Sequence, residues 1–506
     1  MNNDLYENNP LLKCEYKKPL NLNKKISLNE QENKIFSFIK NTLIKYNLFN
    51  KVICRVVGGW VRDKLLNIEN NDNKVTNIDI DISITNMESI DFAKLLNKEL
   101  NQKEEKLNIR LKDLSKGKEF DLVCIPIFGL KIDIVNIYIN ELKDAQRRDI
   151  TINSIFYNLN EDKIEDLTEK GIYDLENGII NTPINVEESI EKNPVHIIRI
   201  IRFAIKFNFK IGDEIINYII KQNNKIKDLI NNKNYYDKIK VEFEKILELN
   251  NAHIAIYFLY KFNLLDLFLY ISNFNYEKNF NILKKEEINI VNLFIIANHI
   301  LNLEKIKYEK NKLKFFNVKL YLILLNYVFI KYLKKSNECV LINLKLPINV
   351  IKTKNLITKN ITYSLEIINK INYNRIDVGN LIRKIHYENI ILLIYILMTI
   401  EYYDNYIKNN INLNIISNFD LDLILNLENK YLLFYNYIEK EKLNEIENIK
   451  PLLNINELIK EFNLNESNEI SNNLRIDIIN LQINDPNISK ENLYNQLKCK
   501  YLKNNK

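Results

Sequence analysis

The chain of 506 residues is poor in the residues that bend a backbone or bind metals through sulfur or imidazole. It has 8 Gly, 8 Pro, 5 Cys and 4 His. The cysteines are dispersed and form no Cys-x-x-Cys pair, so neither a disulfide framework nor a zinc site is expected, and a reducing compartment fits. The longest uncharged apolar runs, 320–330 and 389–400, are shorter than a bilayer requires. We therefore expect a soluble protein.

Charge is nearly balanced, with a formal net charge of +7. That value permits nucleic-acid binding through a local patch but does not require it. A hydrophobic fraction of 46% is typical of a globular protein. The start, MNNDLYENNP, shows no targeting pattern, so the cytoplasm is expected, with the nucleus or an organelle left open.

The scarce glycines and arginines cluster. Every Gly except Gly379, and most Arg, lie between residues 55 and 212. This stretch therefore needs the backbone freedom of glycine and the bidentate guanidinium of arginine more than the rest of the chain does.

Local patterns predict a mixed first part and a helical remainder. Ser27 and Glu30 form a capping-box pattern before an amphipathic helix ending near Leu48. Strands are predicted at 52–57, 78–84, 120–125 and 131–137, and helices at 89–100, 145–158, 194–208, 213–222 and 234–249. The predicted fold class is an α/β head with a small mixed sheet, followed by an all-α neck, body and tail. We place the head at 1–143, the neck at 144–250, and the body and tail at 251–506.

The strongest local motif is Gly58-Gly59 between the strand at 52–57 and a short helix through Leu66. A strand that enters such a turn exposes backbone N–H groups suited to a triphosphate. An ordinary turn is the other interpretation of this motif alone.

Two carboxylates, Asp79 and Asp81, follow within the next strand. Residues two apart in a strand project from the same face, where like charges repel unless a cation joins them. Divalent metals would relieve that repulsion and clamp the oxygens of a phosphoryl transfer. A solvated edge strand is the alternative for this pattern alone. Asp133, in the strand at 131–137, is a candidate third carboxylate.

These motifs, with four later segments, resemble the class II tRNA nucleotidyltransferase and poly(A) polymerase family in its eukaryotic form. The matching segments are GGWVRDKLL at 58–66 with DIDIS at 79–83, RRDITINS at 147–154, EDLTEKGIYDL at 165–175, PVHIIRIIRF at 194–203 and VEFEKIL at 241–247. The motifs occur in the family's order over about 200 residues, which is far more specific than any one of them. Residues 251–506 carry no motif and match only in size and helicity.

The resemblance implies the chemistry and the site. Asp79 and Asp81 would hold two Mg²⁺ ions, with Asp133 as a third catalytic carboxylate. Gly58, Gly59, Arg62 and Asp63 would shape the phosphate pocket; Arg148, Asp149 and Asn153 would bind the ribose and triphosphate; and Asn193, His196, Arg199 and Arg202 would complete the nucleotide site. ATP and CTP would be substrates, the tRNA 3′ acceptor end the partner, and no membrane is involved.

One segment departs from the family. Members read the base with an acid-Asp-x-x-Arg segment around the proline, whereas this chain has Lys192, Asn193 and His196. Asp only accepts and Arg only donates hydrogen bonds, but Asn and His can do either. We predict weaker or altered selection between CTP and ATP. Complete loss of base selection is the other outcome left open.

The motifs and the departure leave three candidate functions. The first is addition of C and/or A to the 3′ end of tRNA. The second is a partial enzyme that adds only C or only A, or a poly(A)-type polymerase. The third is a catalytically weakened RNA-binding protein. The sequence does not give the oligomeric state.

Overall fold

The computed structural model describes residues 10–12, 22, 25–68, 80–100, 108–110, 122–136, 140–269, 280–303, 316–333, 347–409, 414–464 and 467–503. The chain divides into two units, Met1–Ile271 and Ser272–Lys506. The predicted head and neck both fall within the first unit. Their borders at residues 143 and 250 stay predictions.

The first unit contains a mixed sheet and a series of helices. Its strands are Ile53–Val57 (β1), Ile80–Thr85 (β2), Asn108–Arg110 (β3), Leu122–Ile127 (β4), Leu130–Asn136 (β5), Ile155–Asn158 (β6), Lys163–Asp166 (β7), Ile179–Ile180 (β8) and Lys210–Ile211 (β9). Its helices are Glu30–Lys45 (α1), Gly59–Leu65 (α2), Ser89–Glu99 (α3), Glu141–Gln146 (α4), Gly171–Asn177 (α5), Val186–Lys192 (α6), Val195–Phe207 (α7), Asp213–Lys221 (α8), Asn223–Ile230 (α9), Tyr236–Leu247 (α10), Ala252–Lys261 (α11) and Asp266–Leu269 (α12).

Seven of the described strands form one sheet in the order β3-β4-β5-β2-β1-β6-β7. β2 and β5 pair in parallel, and the other neighbours are antiparallel. The inward residues of β1, β2 and β5 are apolar and buried, as β-branched side chains favour. Helix α3 packs on β4 and β5, and α2 packs on β1 and β6. The mixed α/β head is confirmed.

Two sequence predictions in this unit were wrong. Residues 145–158 do not form one helix: α4 ends at Gln146, a 3-10 turn spans Thr151–Asn153, and β6 follows. The run Ile155-Phe156-Tyr157 is buried between β1 and β7, and aromatic and β-branched residues fit a strand better there. A segment with helical periodicity is therefore part of the sheet.

The second correction concerns the start of α1. The capping box is formed by Asn29 and Glu32, not by Ser27 and Glu30. Asn29 Oδ1 accepts from the Glu32 N–H at 2.8 Å, and Glu32 Oε2 accepts from the Asn29 N–H at 2.8 Å. Either pair satisfies the sequence rule. The structure uses the pair whose acid lies on the buried side of the helix.

The second unit is helical throughout its described part, as predicted. Its helices are Phe280–Leu301 (α13), Phe316–Leu333 (α14), Ile348–Ile368 (α15), Arg375–Ile385 (α16), Ile390–Asn409 (α17), Leu421–Lys440 (α18), Ile455–Glu461 (α19), Asn468–Asn484 (α20) and Lys490–Lys503 (α21). Helices α19 to α21 enclose an apolar cluster of their own around Phe462 and Leu474.

One described helical stretch, Tyr387–Ile407, has the length and mean hydropathy of a membrane span. Its window of mean hydropathy 1.3 is 67% buried inside the protein. Burial of this kind is typical of the central helix of a globular domain, whose apolar surface is covered by its neighbours.

The cap of α1 gives a direct test. Asn29→Ala removes the side-chain acceptor of the first turn and is expected to lower the free energy of unfolding by about 1 kcal/mol. Ser27→Ala is the matched control and should change it by less than about 0.5 kcal/mol. Denaturant unfolding followed by the fluorescence of Trp60, the one Trp in the chain, measures the first unit. Equal effects of the two substitutions would contradict the observed cap.

Candidate active site

The Gly58-Gly59 turn lies where β1 ends and α2 begins. Gly58 has φ +78°, a left-handed conformation that side chains other than that of glycine rarely adopt. A Cβ added at Gly58 would stand 3.6 Å from Arg148 Nη1 and 3.8 Å from Asp81 Oδ2. The turn is thus placed directly beside a guanidinium and a carboxylate that are distant in sequence.

Two of the three predicted carboxylates are neighbours in the sheet. Asp81 on β2 is in register with Asp133 on β5 and with Val57 on β1. Directly opposed residues on neighbouring strands project from the same face, so both carboxylates share one side of the sheet. Asp79 lies outside the described residues. Within the part of the chain described, no group of three metal-ligating side chains is present.

The donor chemistry nonetheless fits a hard divalent cation. Asp81 and Asp133 offer carboxylate oxygens, the ligands that Mg²⁺ prefers, and Asp81 contacts the open cleft. A metal at this position would face the Gly58-Gly59 turn.

A chain of ion pairs along the cleft links two helices to the segment that follows α4. Asp149 accepts from Arg199 Nε at 2.7 Å. Glu242 accepts from Arg199 Nη1 at 3.1 Å and from Arg202 Nε at 2.6 Å. Because α7 carries both arginines and α10 carries Glu242, the chain fixes these helices to the segment that follows α4.

Both carboxylates remain ionised despite their burial. Burial alone would raise the pKa of Asp149, but the charge of Arg199 and the hydrogen bond from Asn153 outweigh it and hold the pKa below its usual value. Burial likewise opposes ionisation of Glu242, and the charges of Arg202 and Arg199 lower its pKa. Asp149 is therefore a pure hydrogen-bond acceptor at neutral pH.

Arg62 joins the Gly58-Gly59 turn to α7, which carries Phe207, and to Asn153. Its Nη1 donates to Asn153 Oδ1 at 2.5 Å, and Asn153 Nδ2 donates to Asp149 Oδ1 at 3.0 Å. The guanidinium also pairs with Asp63 at 2.7 Å and lies 4.5 Å from the ring centre of Phe207. Hydrogen bonding and cation–π contact together hold its charge beside the turn.

His196 and Asn193 lie at the start of α7. His196 Nδ1 is 3.1 Å from Ser189 Oγ, and Asn193 Oδ1 accepts from the Val195 N–H at 3.3 Å. Burial lowers the pKa of His196 to about 4, so the ring is neutral at physiological pH. A neutral ring presents one donor and one acceptor, unlike the guanidinium of the family motif.

A cleft of about 710 Å³ brings most of the predicted residues together. It is lined by Gly58, Gly59, Arg62, Asp81, Arg147, Arg148, Asp149, Asn153, Asn193, Val195, His196, Arg199, Phe203, Asp237, Lys238, Val241 and Glu242. Asp63, Asp133 and Arg202 do not line it; they contact residues that do or lie beside them in the sheet.

The sequence prediction missed several lining residues. Val241 and Glu242 belong to the VEFEKIL segment, whose buried Glu could have been singled out as the partner of two arginines. Asp237 and Lys238, one turn earlier on α10, had no motif to mark them.

The neutral state of His196 predicts that the free energy of unfolding depends on pH. Between pH 6.5 and 4 the unfolded chain binds a proton at this residue and the folded chain does not, so stability falls as the pH falls. Its contribution is up to about 3 kcal/mol. Buried His253, whose pKa is also lowered to about 4 by burial, adds a similar share.

Unfolding of the first unit at pH 7 and pH 4, followed by Trp60 fluorescence, measures this effect. His196→Gln should make the loss smaller, by up to about 3 kcal/mol. His386→Gln, at a half-exposed histidine of the second unit, should leave the loss unchanged. An unaltered pH profile for His196→Gln would contradict the neutral assignment.

Known proteins are similar in sequence to the part of this chain that forms the sheet. The family model of the poly A polymerase head domain matches residues 54–181. The mitochondrial CCA tRNA nucleotidyltransferase of Candida glabrata is 31% identical over 44% of this chain and 45% of that relative. The tRNA nucleotidyltransferase cca1 of Schizosaccharomyces pombe is 33% identical over 46% and 49%. The chain thus spans about half the length of the curated relatives it matches.

Solved structures share the fold over most of the chain. A complex of a CCA-adding enzyme with CTP has a TM-score of 0.59 at 20% identity, covering 95% of this chain and 96% of that chain. The CCA-adding enzyme of Bacillus stearothermophilus with CTP has a TM-score of 0.60 at 14% identity, covering 94% and 99%. The predicted architecture is confirmed by these structures, and the similarity to the poly A polymerase head-domain model lies in residues 54–181.

Proposed function

We propose that the chain is a template-independent RNA nucleotidyltransferase that adds C and/or A to the 3′ end of tRNA and releases pyrophosphate. One observation carries the proposal. A single cleft holds a strand carboxylate, Asp81, beside the Gly58-Gly59 turn, and continues to Asp149 and His196. This order suits a nucleoside triphosphate with its phosphates at the sheet and its base at α7.

The end of the cleft beside the Gly58-Gly59 turn, where we place the phosphates, carries guanidinium groups. Arg148 bonds Asp144 through Nη2 at 3.1 Å, while its buried Nε has no hydrogen-bond partner within the described structure. Arg62 adds a second guanidinium beside the turn. Planar forks of this kind suit phosphate oxygens. The cations would bind the triphosphate and orient its α-phosphorus toward the RNA 3′-hydroxyl.

Asp81, with Asp79 and Asp133 as the other proposed carboxylates, would hold two Mg²⁺ ions. When bound, such ions neutralise the triphosphate and lower the pKa of the attacking hydroxyl. This chain's own residues supply the placement. The parallel pairing of β2 with β5 sets the spacing of Asp81 and Asp133 before any substrate arrives.

The middle of the cleft offers a fixed acceptor. Asp149 is ionised and is held by Arg199 and Asn153. A rigid carboxylate can accept from ribose hydroxyls, while Asn153, itself held by Arg62, would lie between the ribose and the phosphates.

At the end of the cleft near α7, where we place the base, Asn193 stands in place of the family's Asp and His196 in place of its Arg. Asn193 uses its carbonyl oxygen on the Val195 N–H, and His196 uses Nδ1 toward Ser189. Both side chains keep a second polar atom for a base. With its oxygen engaged, Asn193 offers an NH₂ donor where the family has a carboxylate acceptor, and the second nitrogen of His196 donates or accepts depending on the tautomer. Both changes support weaker or altered base selection.

The relatives support tRNA as the RNA substrate. Two of them are named CCA tRNA nucleotidyltransferase, and one structure of similar fold is a CCA-adding enzyme with tRNA. The helical second unit would hold the acceptor end. The relatives from Candida glabrata and Saccharomyces cerevisiae are named mitochondrial, so we propose a soluble protein of the cytoplasm or of that organelle.

A partial or poly(A)-type polymerase is the second candidate. The poly(A) polymerase I of Salmonella typhi is 39% identical, but over only 16% of this chain. The changes at Lys192, Asn193 and His196 are the observation that favours it.

A protein that only binds RNA is the third candidate. It would have no physical use for carboxylates placed side by side, as Asp81 and Asp133 are.

An extension assay tests the activity. The purified chain receives Mg²⁺ and tRNA transcripts ending before CCA, after C or after CC, with each nucleotide singly and in mixture. Asp81→Asn should lower kcat by more than about a hundredfold, because it weakens the metal site. Asp91→Asn removes an exposed carboxylate of α3 and is the matched control. Metal-independent addition, or none by the unchanged chain, would refute the proposal.

Base selection is tested separately. Asn193→Asp with His196→Arg restores one acceptor and one fixed donor, and should raise the preference for CTP over UTP by about tenfold or more. Lys192→Glu also restores a family residue, but at an exposed side chain outside the cleft, and should change nothing. Single-turnover incorporation of each nucleotide measures the ratio. Ordered C, C and A addition by the unchanged chain would show that Asn193 and His196 already select bases.

A further inference from the structure

A buried carboxylate on α1 contacts the helix that follows the Gly58-Gly59 turn. Glu32 is 1% exposed. Its Oε1 accepts from the indole Nε1–H of Trp60 at 2.9 Å, and its Oε2 accepts from Lys64 Nζ at 2.6 Å and from the Asn29 N–H at 2.8 Å. Both oxygens are therefore engaged, two of the three bonds coming from α2.

Aromatic packing reinforces this contact. The Trp60 ring lies 5.5 Å from Phe36 of α1 in an edge arrangement and 6.0 Å from Tyr157 of β6. The Tyr157 hydroxyl donates to Asp162 at 3.0 Å, and Asp162 also accepts from Lys40 of α1 at 2.6 Å. Helix α1 is thus attached at two separated points, to α2 and to the turn that follows β6, so Glu32 has little freedom to follow a displaced Trp60.

The contacted helix is part of the cleft. Trp60 directly follows Gly58 and Gly59, and Arg62 lies two residues further on; all but Trp60 line the cleft. Space around the turn is limited, since a Cβ at Gly59 would stand 3.2 Å from Arg62 Nη2. A helix of seven residues moves as one body, so displacement of Trp60 would displace both the turn and the guanidinium.

We propose that Glu32 is a positioning residue for nucleotide binding, acting through Trp60 and Lys64 to hold the Gly58-Gly59 turn and Arg62 in place. The identity of the ligand, a nucleoside triphosphate, rests on the proposed function. Glu32 does not line the cleft and precedes the matched head domain at 54–181. The head of this chain is therefore completed by a helix outside that domain.

Glu32→Gln is the first test. Glutamine keeps the size and one oxygen for Trp60 but turns an amide NH₂ toward Lys64 and the Asn29 N–H. The KM for ATP and CTP should rise about fivefold to tenfold, with kcat and the KM for the RNA within about twofold. Glu30→Gln makes the same change at an exposed position of the same helical turn and should leave every constant unchanged.

Trp60→Phe is the second test, since it keeps a ring but removes the indole donor. The KM for nucleotide should rise in the same direction. In a cycle of Trp60→Phe, Glu32→Ala and their double variant, the combined rise should be smaller than the product of the two single effects, because both single substitutions remove the hydrogen bond between the indole and the carboxylate. Circular dichroism melting monitors folding in each variant. A role confined to stability would lower the melting temperature and the active fraction while leaving KM unchanged.

The outcomes separate the two proposals. Folded Glu32→Gln and Trp60→Phe proteins with unchanged KM for nucleotide, beside an active unchanged chain, would overturn the positioning role alone. An unchanged chain that extends no RNA would overturn the proposed function first, before any variant is compared, and the positioning role with it. A selective rise in nucleotide KM in both variants establishes the inference.

Discussion

Asp149 and Glu242 share one guanidinium, that of Arg199, and the rest of the cleft is arranged around this pairing. Removal of Arg199 would leave the buried Asp149 without the cation that it pairs with, and the cost of such an unpaired buried charge exceeds the stabilisation that the pair itself provides. Arg202 provides the second cation that two carboxylates require. The segment that follows α4 therefore depends on α7 to keep Asp149 ionised. In turn, α7 depends on Asp149 and Glu242 to keep its arginines in place.

The motif positions were predictable because their chemistry is local. Gly58 adopts a positive φ, and Asp81 lies in a strand whose side chains alternate between the two faces of the sheet. A few neighbouring residues are enough to predict both features. The register that sets Asp81 beside Asp133 was not readable. It depends on a parallel pairing between strands separated by a helix and two further strands, which no short pattern encodes.

The errors have a common physical cause. At Ser27 and Asn29 two capping patterns of equal local merit compete, and burial of Glu32 against Trp60 decides between them. At 145–158 the helical periodicity is real, but pairing with β1 and β7 stabilises the buried run as a strand. Tertiary contacts override local preference in both cases. The VEFEKIL motif marks Glu242 in the sequence, but only the folded chain shows that its partners are Arg199 and Arg202.

The strand order has a consequence for folding during synthesis. β1 lies between β2 and β6, and β2 in turn lies between β1 and β5. As the chain leaves the ribosome, β1 has no complete pair of neighbours until β6, about a hundred residues later, has been made. Pairing over such separations is slow because loops must close before contacts compensate for the lost entropy. During synthesis the edge of β1 that will face β6 therefore stays unpaired over that interval, and an unpaired apolar strand edge is open to pairing with other chains.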